Sequence, residues 1–115
     1  MERMEEIDQT GVYKITAPNL SDKIYIGSAA KSFRRRWTTH RNEFKKRKHH
    51  CKELQKIYNE HGLEILDFSI IEACDPSDCI SREDYYIRSH PWDTLFNQNP
   101  QAGSVLGYKF SQEQL

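Results

Sequence analysis

The spacing of apolar side chains switches from two residues to about 3.6 at Lys31, and a chain that does this must pack helices on strands. Before the switch, Thr10-Gly11-Val12-Tyr13-Lys14-Ile15-Thr16 is rich in β-branched and aromatic residues, followed by the turn formers Ala17-Pro18-Asn19-Leu20-Ser21-Asp22. Lys23-Ile24-Tyr25-Ile26-Gly27 resumes the strand character, so the pair is expected to form a hairpin. After the switch, Phe33, Trp37 and Phe44 share one stripe of a helix that runs to about Arg47. A second helix is expected over His50–His61, where Leu54, Ile57, Tyr58 and His61 recur with helical period and Gly62 supplies a stop. Leu66-Asp67-Phe68-Ser69-Ile70 alternates as a third strand. Asp75-Pro76-Ser77-Asp78 then turns into a third helix, from near Asp78 to about Ser89, ahead of Pro91. The expected order is ββααβα, an α+β arrangement.

At 115 residues the chain fits one domain. Beyond residue 91 it is rich in breakers, and Ser111 with Gln114 could cap a further helix, so the sequence reads as a fragment of something longer. No apolar run approaches the roughly 20 residues that span a bilayer. The N-terminus has neither the basic start nor the apolar stretch of a secretory leader, so an intracellular, cytoplasmic location is expected. Cys51, Cys74 and Cys79 form no C-x-x-C pair, so neither a disulfide framework nor a zinc ribbon is expected. His49-His50-Cys51 does not change this, because adjacent ligands rarely reach tetrahedral geometry alone.

A net charge of zero hides a strong separation. Residues 31–56 hold eleven basic side chains against Glu43 and Glu53, an excess of nine positive charges, while both flanking segments are acidic. Such a block suits a polyanion, or simply a solvated helix face.

Three features carry possible chemistry. Glu83 has Cys79, Ile80, Tyr86 and Ile87 at helical neighbour positions, which puts a carboxylate on the stripe that should face the core. It is either ion-paired, for instance to an arginine of the first helix, or a ligand for a divalent cation. Arg36 and His40 are four residues apart and project from one side of the first helix, where an arginine can grip phosphate and a histidine can exchange a proton. Tyr13 and Tyr25, taken singly, are ordinary strand residues.

In combination these residues form a pattern. Gly11-Val12-Tyr13, then Tyr25-Ile26-Gly27 after eleven residues, Arg36 and His40 on the next helix, Glu83 in Ser81-Arg82-Glu83-Asp84-Tyr85, and Asn97 after Phe96 resemble the GIY-YIG nuclease family. The match covers roughly residues 10–100 and is closest in character to the catalytic domains of phage and intron-encoded homing endonucleases. The one departure is Val12 where the family name has isoleucine, a loss of one methylene. The resemblance implies a small domain over residues 1–100 with a three-stranded, mainly antiparallel sheet flanked by three helices. It also implies a metal-dependent endonuclease acting on double-stranded DNA, with one Mg²⁺ or Mn²⁺ held by Glu83. Tyr13 would be the general base, Tyr25 would bind phosphate or share the proton, Arg36 would hold the scissile phosphate, and His40 would orient Tyr13 or relay its proton. Asn97 would brace the site; Lys23, Arg35 and His49 would contact substrate. Residues 101–115 look like a linker or the start of the modular DNA-binding repeats that follow this domain in homing endonucleases, which places most target specificity in a missing region. A repair-type incision domain, a non-catalytic DNA-binding module and a charged protein-interaction domain are the competing expectations.

Overall fold

The computed structural model describes residues 6–97, so the expectations for residues 101–115 fall outside the described part. Gly11–Thr16 (β1) and Ile24–Ala29 (β2) form the expected hairpin, with Tyr13 opposite Gly27. Asp67–Ala73 (β3) adds to the other side of β1, giving an antiparallel sheet in the order β2-β1-β3. Three helices complete the α+β domain: Phe33–Lys45 (α1), Lys52–His61 (α2) and Cys79–Arg88 (α3). Among the described residues no helix is long and apolar enough to cross a membrane.

Strand alternation gives the sheet two apolar faces. Tyr13, Ile15, Tyr25 and Ala29 pack with Phe33, Trp37 and Phe44 of α1 and Leu54 of α2. Val12 and Ile26 point the other way, onto Ile87 of α3 and Leu95. At on the order of 1.5–3 kcal/mol for each large apolar side chain fully withdrawn from water, the face under α1 and α2 carries more of the stability. The sheet therefore lies between two helical layers, and any site using both must be built at its rim.

Local chemistry sets the helix ends. Ser32 caps α1 by accepting a hydrogen bond from the Arg35 amide at 3.0 Å. The helix stops at Lys45, two residues before the expected end, because Arg47 enters the left-handed region at φ 59° with no glycine to announce it. α2 starts at Lys52 rather than His50, since Cys51 is extended at φ −87° and ψ 106° and serves as the cap position. Gly62, at φ 87°, ends α2 as anticipated. On α3 the buried stripe is narrower than expected: Cys79 and Ile87 are buried, whereas Ile80 is half exposed and Tyr86 only partly covered. All three cysteines are free thiols.

β2 is an edge strand, and edges are open to further pairing. Its first half is covered: Leu95 forms a parallel bridge to Ile24, the Phe96 amide donates to the Ile24 carbonyl at 2.7 Å, and Asn97 closes on Ile26. Its second half, Gly27–Ala29, runs into the turn leading to α1, where a cleft opens.

Candidate active site

Side chains from both helical layers reach this open half of β2. Ser28 points to the α3 face and its hydroxyl donates to Glu83 Oε1 at 2.5 Å. Glu83 is partly buried and forms no salt bridge among the described residues, so the ion-pair alternative is not realised. Burial raises its pKa, opposed by the Ser28 hydrogen bond and the positive charge of Arg36. From the other layer, Arg36 is half-buried and lines a cleft of about 200 Å³ together with the Ala29–Ser32 turn, Arg35 and Thr39. Burial works against the Arg36 charge, but the nearby oxygens of Tyr13, Tyr25 and Glu43 outweigh it and raise its pKa. Tyr13 in turn lies within the electrostatic reach of Tyr25, Arg36 and Glu83. The two phenols, the guanidinium and the acid share one site.

Behind Tyr13 runs a chain of imidazoles. Tyr13 is fully buried, and its Oη lies 2.5 Å from His40 Nε2. His40 Nδ1 lies 2.7 Å from His49 Nε2, and His49 Nδ1 accepts the Cys51 amide at 3.0 Å. Tyr25 Oη is paired separately, with His50 Nε2 at 2.9 Å. Aromatic edges fix the Tyr13 ring: Phe33, Trp37 and His40 each meet it T-shaped, with centroids 6.3, 6.1 and 5.6 Å away. Gly27 allows this arrangement, since a Cβ there would fall 2.5 Å from Tyr13 Oη and 2.6 Å from its Cζ.

Burial dominates the ionisation of these groups. It lifts Tyr13 well above the ordinary phenol value, with Arg36 pulling the other way, and it raises Tyr25 likewise. These residues by themselves therefore do not supply the lowered phenol pKa that a base requires. His40 is pushed down to about 2 and His49 to about 3, by burial first and by neighbouring positive charge next, so both rings are neutral at ordinary pH. His50 is lowered by burial but drawn back up by the Glu43 carboxylate.

Two donor sets can be weighed for a cation. His40, Glu43 and His49 bring ligand atoms within 4.8 Å of one another. Both nitrogens of His40 and both of His49 are already used in the chain to Tyr13 and the Cys51 amide, however, so a cation there would have to break it. Glu83 instead leaves Oε2 without a hydrogen bond among the described residues, while Ser28 steadies Oε1. A single carboxylate oxygen left unpaired suits a hard cation that keeps most of its waters.

The remaining expected residues divide. Asn97 grips the Ile26 backbone with both ends of its amide, accepting at 2.9 Å and donating at 2.8 Å, so it fixes the strand between Tyr25 and Gly27 and does not itself face the phenols' hydrogen-bond partners. Arg35 lines the cleft. His49 is buried behind His40, which places it away from direct substrate contact. Lys23 is ion-paired with Glu53 at 3.1 Å, at the start of α2. Four participants escaped sequence reading. Ser28 was detectable by strand alternation, one residue beyond Gly27. His50 sat inside the His-His-Cys run, where only zinc was considered. Gln55, which accepts the His49 amide at 3.0 Å, enters the sequence pattern only within Leu54-Gln55, a pair similar to the homing-endonuclease branch, and Glu43, whose Oε1 is buried without a hydrogen bond, is marked by no motif.

No curated protein sequence matched the chain. Among solved structures, a mutant of the catalytic domain of intron endonuclease I-TevI, with one glutamate replaced by alanine, superposes with a TM-score of 0.70 at 28% identity, covering 82% of this chain and 97% of that one. The catalytic domain of homing endonuclease I-TevI gives a TM-score of 0.67 at 29% identity, covering 79% and 99%. The family model for the GIY-YIG catalytic domain matches residues 9–93, and with the tyrosines, arginine and glutamate gathered at one sheet edge, the chain belongs to the GIY-YIG nuclease family.

Proposed function

We propose that this domain is a divalent-cation-dependent endonuclease of the homing type, hydrolysing phosphodiester bonds of double-stranded DNA. The observation that carries the reading is the placement of Glu83, with one oxygen held by Ser28 and the other without a hydrogen bond among the described residues, within electrostatic reach of Arg36 and the two phenols. A Mg²⁺ or Mn²⁺ ion on Glu83 would supply Lewis acidity at the phosphate and lower the pKa of a bound water. Arg36 would grip the scissile phosphate through its planar fork and stabilise the charge that builds there. Tyr13 would take the proton of the attacking water, with Tyr25 beside it to bind phosphate or share that proton. Because burial favours the protonated phenol of Tyr13, its base form would have to be favoured by Arg36 and by the positive charge of a cation held on Glu83. Arg35, Lys31 and the exposed basic face of α1 would track the backbone without reading bases. Lys23 could join them only by exchanging Glu53 for a phosphate. Target choice would fall to a further DNA-binding region.

The test is supercoiled plasmid incubated with the protein in Mg²⁺, in Mn²⁺ and in excess chelator. Nicked or linear product with either ion and none with chelator is expected. Equal cleavage in chelator would remove the cation from the mechanism, and no cleavage under any condition would favour a DNA-binding module that kept the scaffold.

A further inference from the structure

The imidazole chain behind Tyr13 has a direction, and one backbone group sets it. The Cys51 amide can only donate, so His49 Nδ1, 3.0 Å away, must offer a lone pair and carry no proton. A neutral imidazole has one ring proton, which His49 must then hold on Nε2 and direct at His40 Nδ1, 2.7 Å away. His40 Nδ1 is thereby an acceptor, and its single proton sits on Nε2, 2.5 Å from Tyr13 Oη.

We propose that His49 is a positioning residue that holds His40 as an obligatory hydrogen-bond donor to Tyr13, so that His40 favours the phenolate of Tyr13 and does not take up its proton. This rests on Tyr13 being the base, and it selects between the two roles open to His40: it orients and donates, and it does not relay. When Tyr13 gives up its own proton, that proton does not pass to His40. The chain is well clamped. His49 stacks on Phe44 with centroids 4.1 Å apart and planes 10° from parallel. Its amide donates to Gln55 Oε1, and Gln55 is held in turn through the Phe44 carbonyl and Asn59 Oδ1, both at 3.0 Å. Flipping the His49 ring would therefore strand the Cys51 amide. The charged and titratable groups facing the two rings are Arg36, Arg41 and Glu43 from α1, Tyr13 and Tyr25 from the hairpin, and His50 and Cys51 from the turn before α2. The low pKa values of both rings keep each at one proton across the working pH range.

The ring nitrogens can be read directly by long-range ¹⁵N–¹H correlation on the protein at neutral pH, without DNA. Both His40 and His49 are expected as the tautomer protonated on Nε2. A His40 proton on Nδ1 would overturn the inference even if the protein proves a vigorous nuclease; conversely, inactivity on DNA would leave the spectrum decisive. His49→Ala should release His40 toward the other tautomer, in which it accepts from the Tyr13 hydroxyl and favours the neutral phenol. That reversal should raise the Tyr13 pKa by about one unit and lower kcat about tenfold at any pH below it, with KM little changed. His49→Gln, whose amide can still donate to His40 Nδ1, should restore the tautomer and most of the rate. An unchanged His40 tautomer or kcat in His49→Ala, or a glutamine variant no better than alanine, would equally overturn the inference.

Discussion

Replacing Gly27 by alanine should damage the site through a single methyl group. The backbone at Gly27 is ordinary strand, so no strain of conformation is at issue; the effect is steric. The added Cβ would lie 2.5 Å from Tyr13 Oη and 2.6 Å from Cζ, about 1 Å inside normal contact. Tyr13 has little room to retreat, being fully buried between Phe33, Trp37 and His40. Overpacking of this kind costs roughly 1–3 kcal/mol. Losing the Tyr13–His40 hydrogen bond adds about 1 kcal/mol. The expected loss is thus about 2–4 kcal/mol, readable as a lower urea midpoint with little change in slope. Activity should fall further than stability, since a displacement of about 1 Å at a reacting group can cost on the order of 100-fold. Urea unfolding followed by circular dichroism, together with plasmid cleavage under conditions where the variant is folded, measures both. A variant with wild-type midpoint and rate would show that Tyr13 does not sit against Gly27, and the geometry of the base would have to be redrawn.

His40 and His49 have folded-state pKa values of about 2 and 3, below the unfolded value near 6.5, so their stabilising effect is fully present above pH 6.5 and is lost as pH falls toward 3. The unfolding free energy from urea titrations should therefore decline below pH 6.5 by up to about 1.4 kcal/mol per pH unit for each ring; stability flat from pH 6.5 to 4.5 would contradict their buried neutral state. Asn97→Ala deletes both bonds to the Ile26 backbone and should cost roughly 1–3 kcal/mol, with hydrogen exchange at the Ile26 amide accelerating; an unchanged Ile26 amide would refute that clamp. DNA affinity should fall steeply with salt, and Arg35→Ala should reduce the slope of log K against log salt by about 1, whereas an unaltered slope would take Arg35 off the phosphate path.

Much of the fold was legible because period and punctuation agree. The stripe of Phe33, Trp37 and Phe44 is buried as the helical spacing requires, and Gly62 stops α2 where a positive φ is needed. Arg47 also takes a positive φ without being glycine, so the end of α1 could not be read from residue type. The site was legible only as a list of residues. Their partners lie far along the chain: Tyr13 with His40, Ser28 with Glu83 and Ile26 with Asn97 are separated by 27, 55 and 71 positions. No local pattern encodes which imidazole nitrogen faces which oxygen. That depends on the extended Cys51 backbone before α2, where helical periodicity alone suggested that the helix had already begun.

The central proposal is that Glu83, within electrostatic reach of Arg36 and the phenols, binds the cation that cleavage requires. The most direct measurement pairs Mg²⁺-dependent plasmid cleavage with a gel-shift titration of duplex DNA for Glu83→Ala. The account predicts that cleavage disappears while DNA affinity stays within a few-fold of wild type. Full Mg²⁺-dependent cleavage by that variant would contradict it.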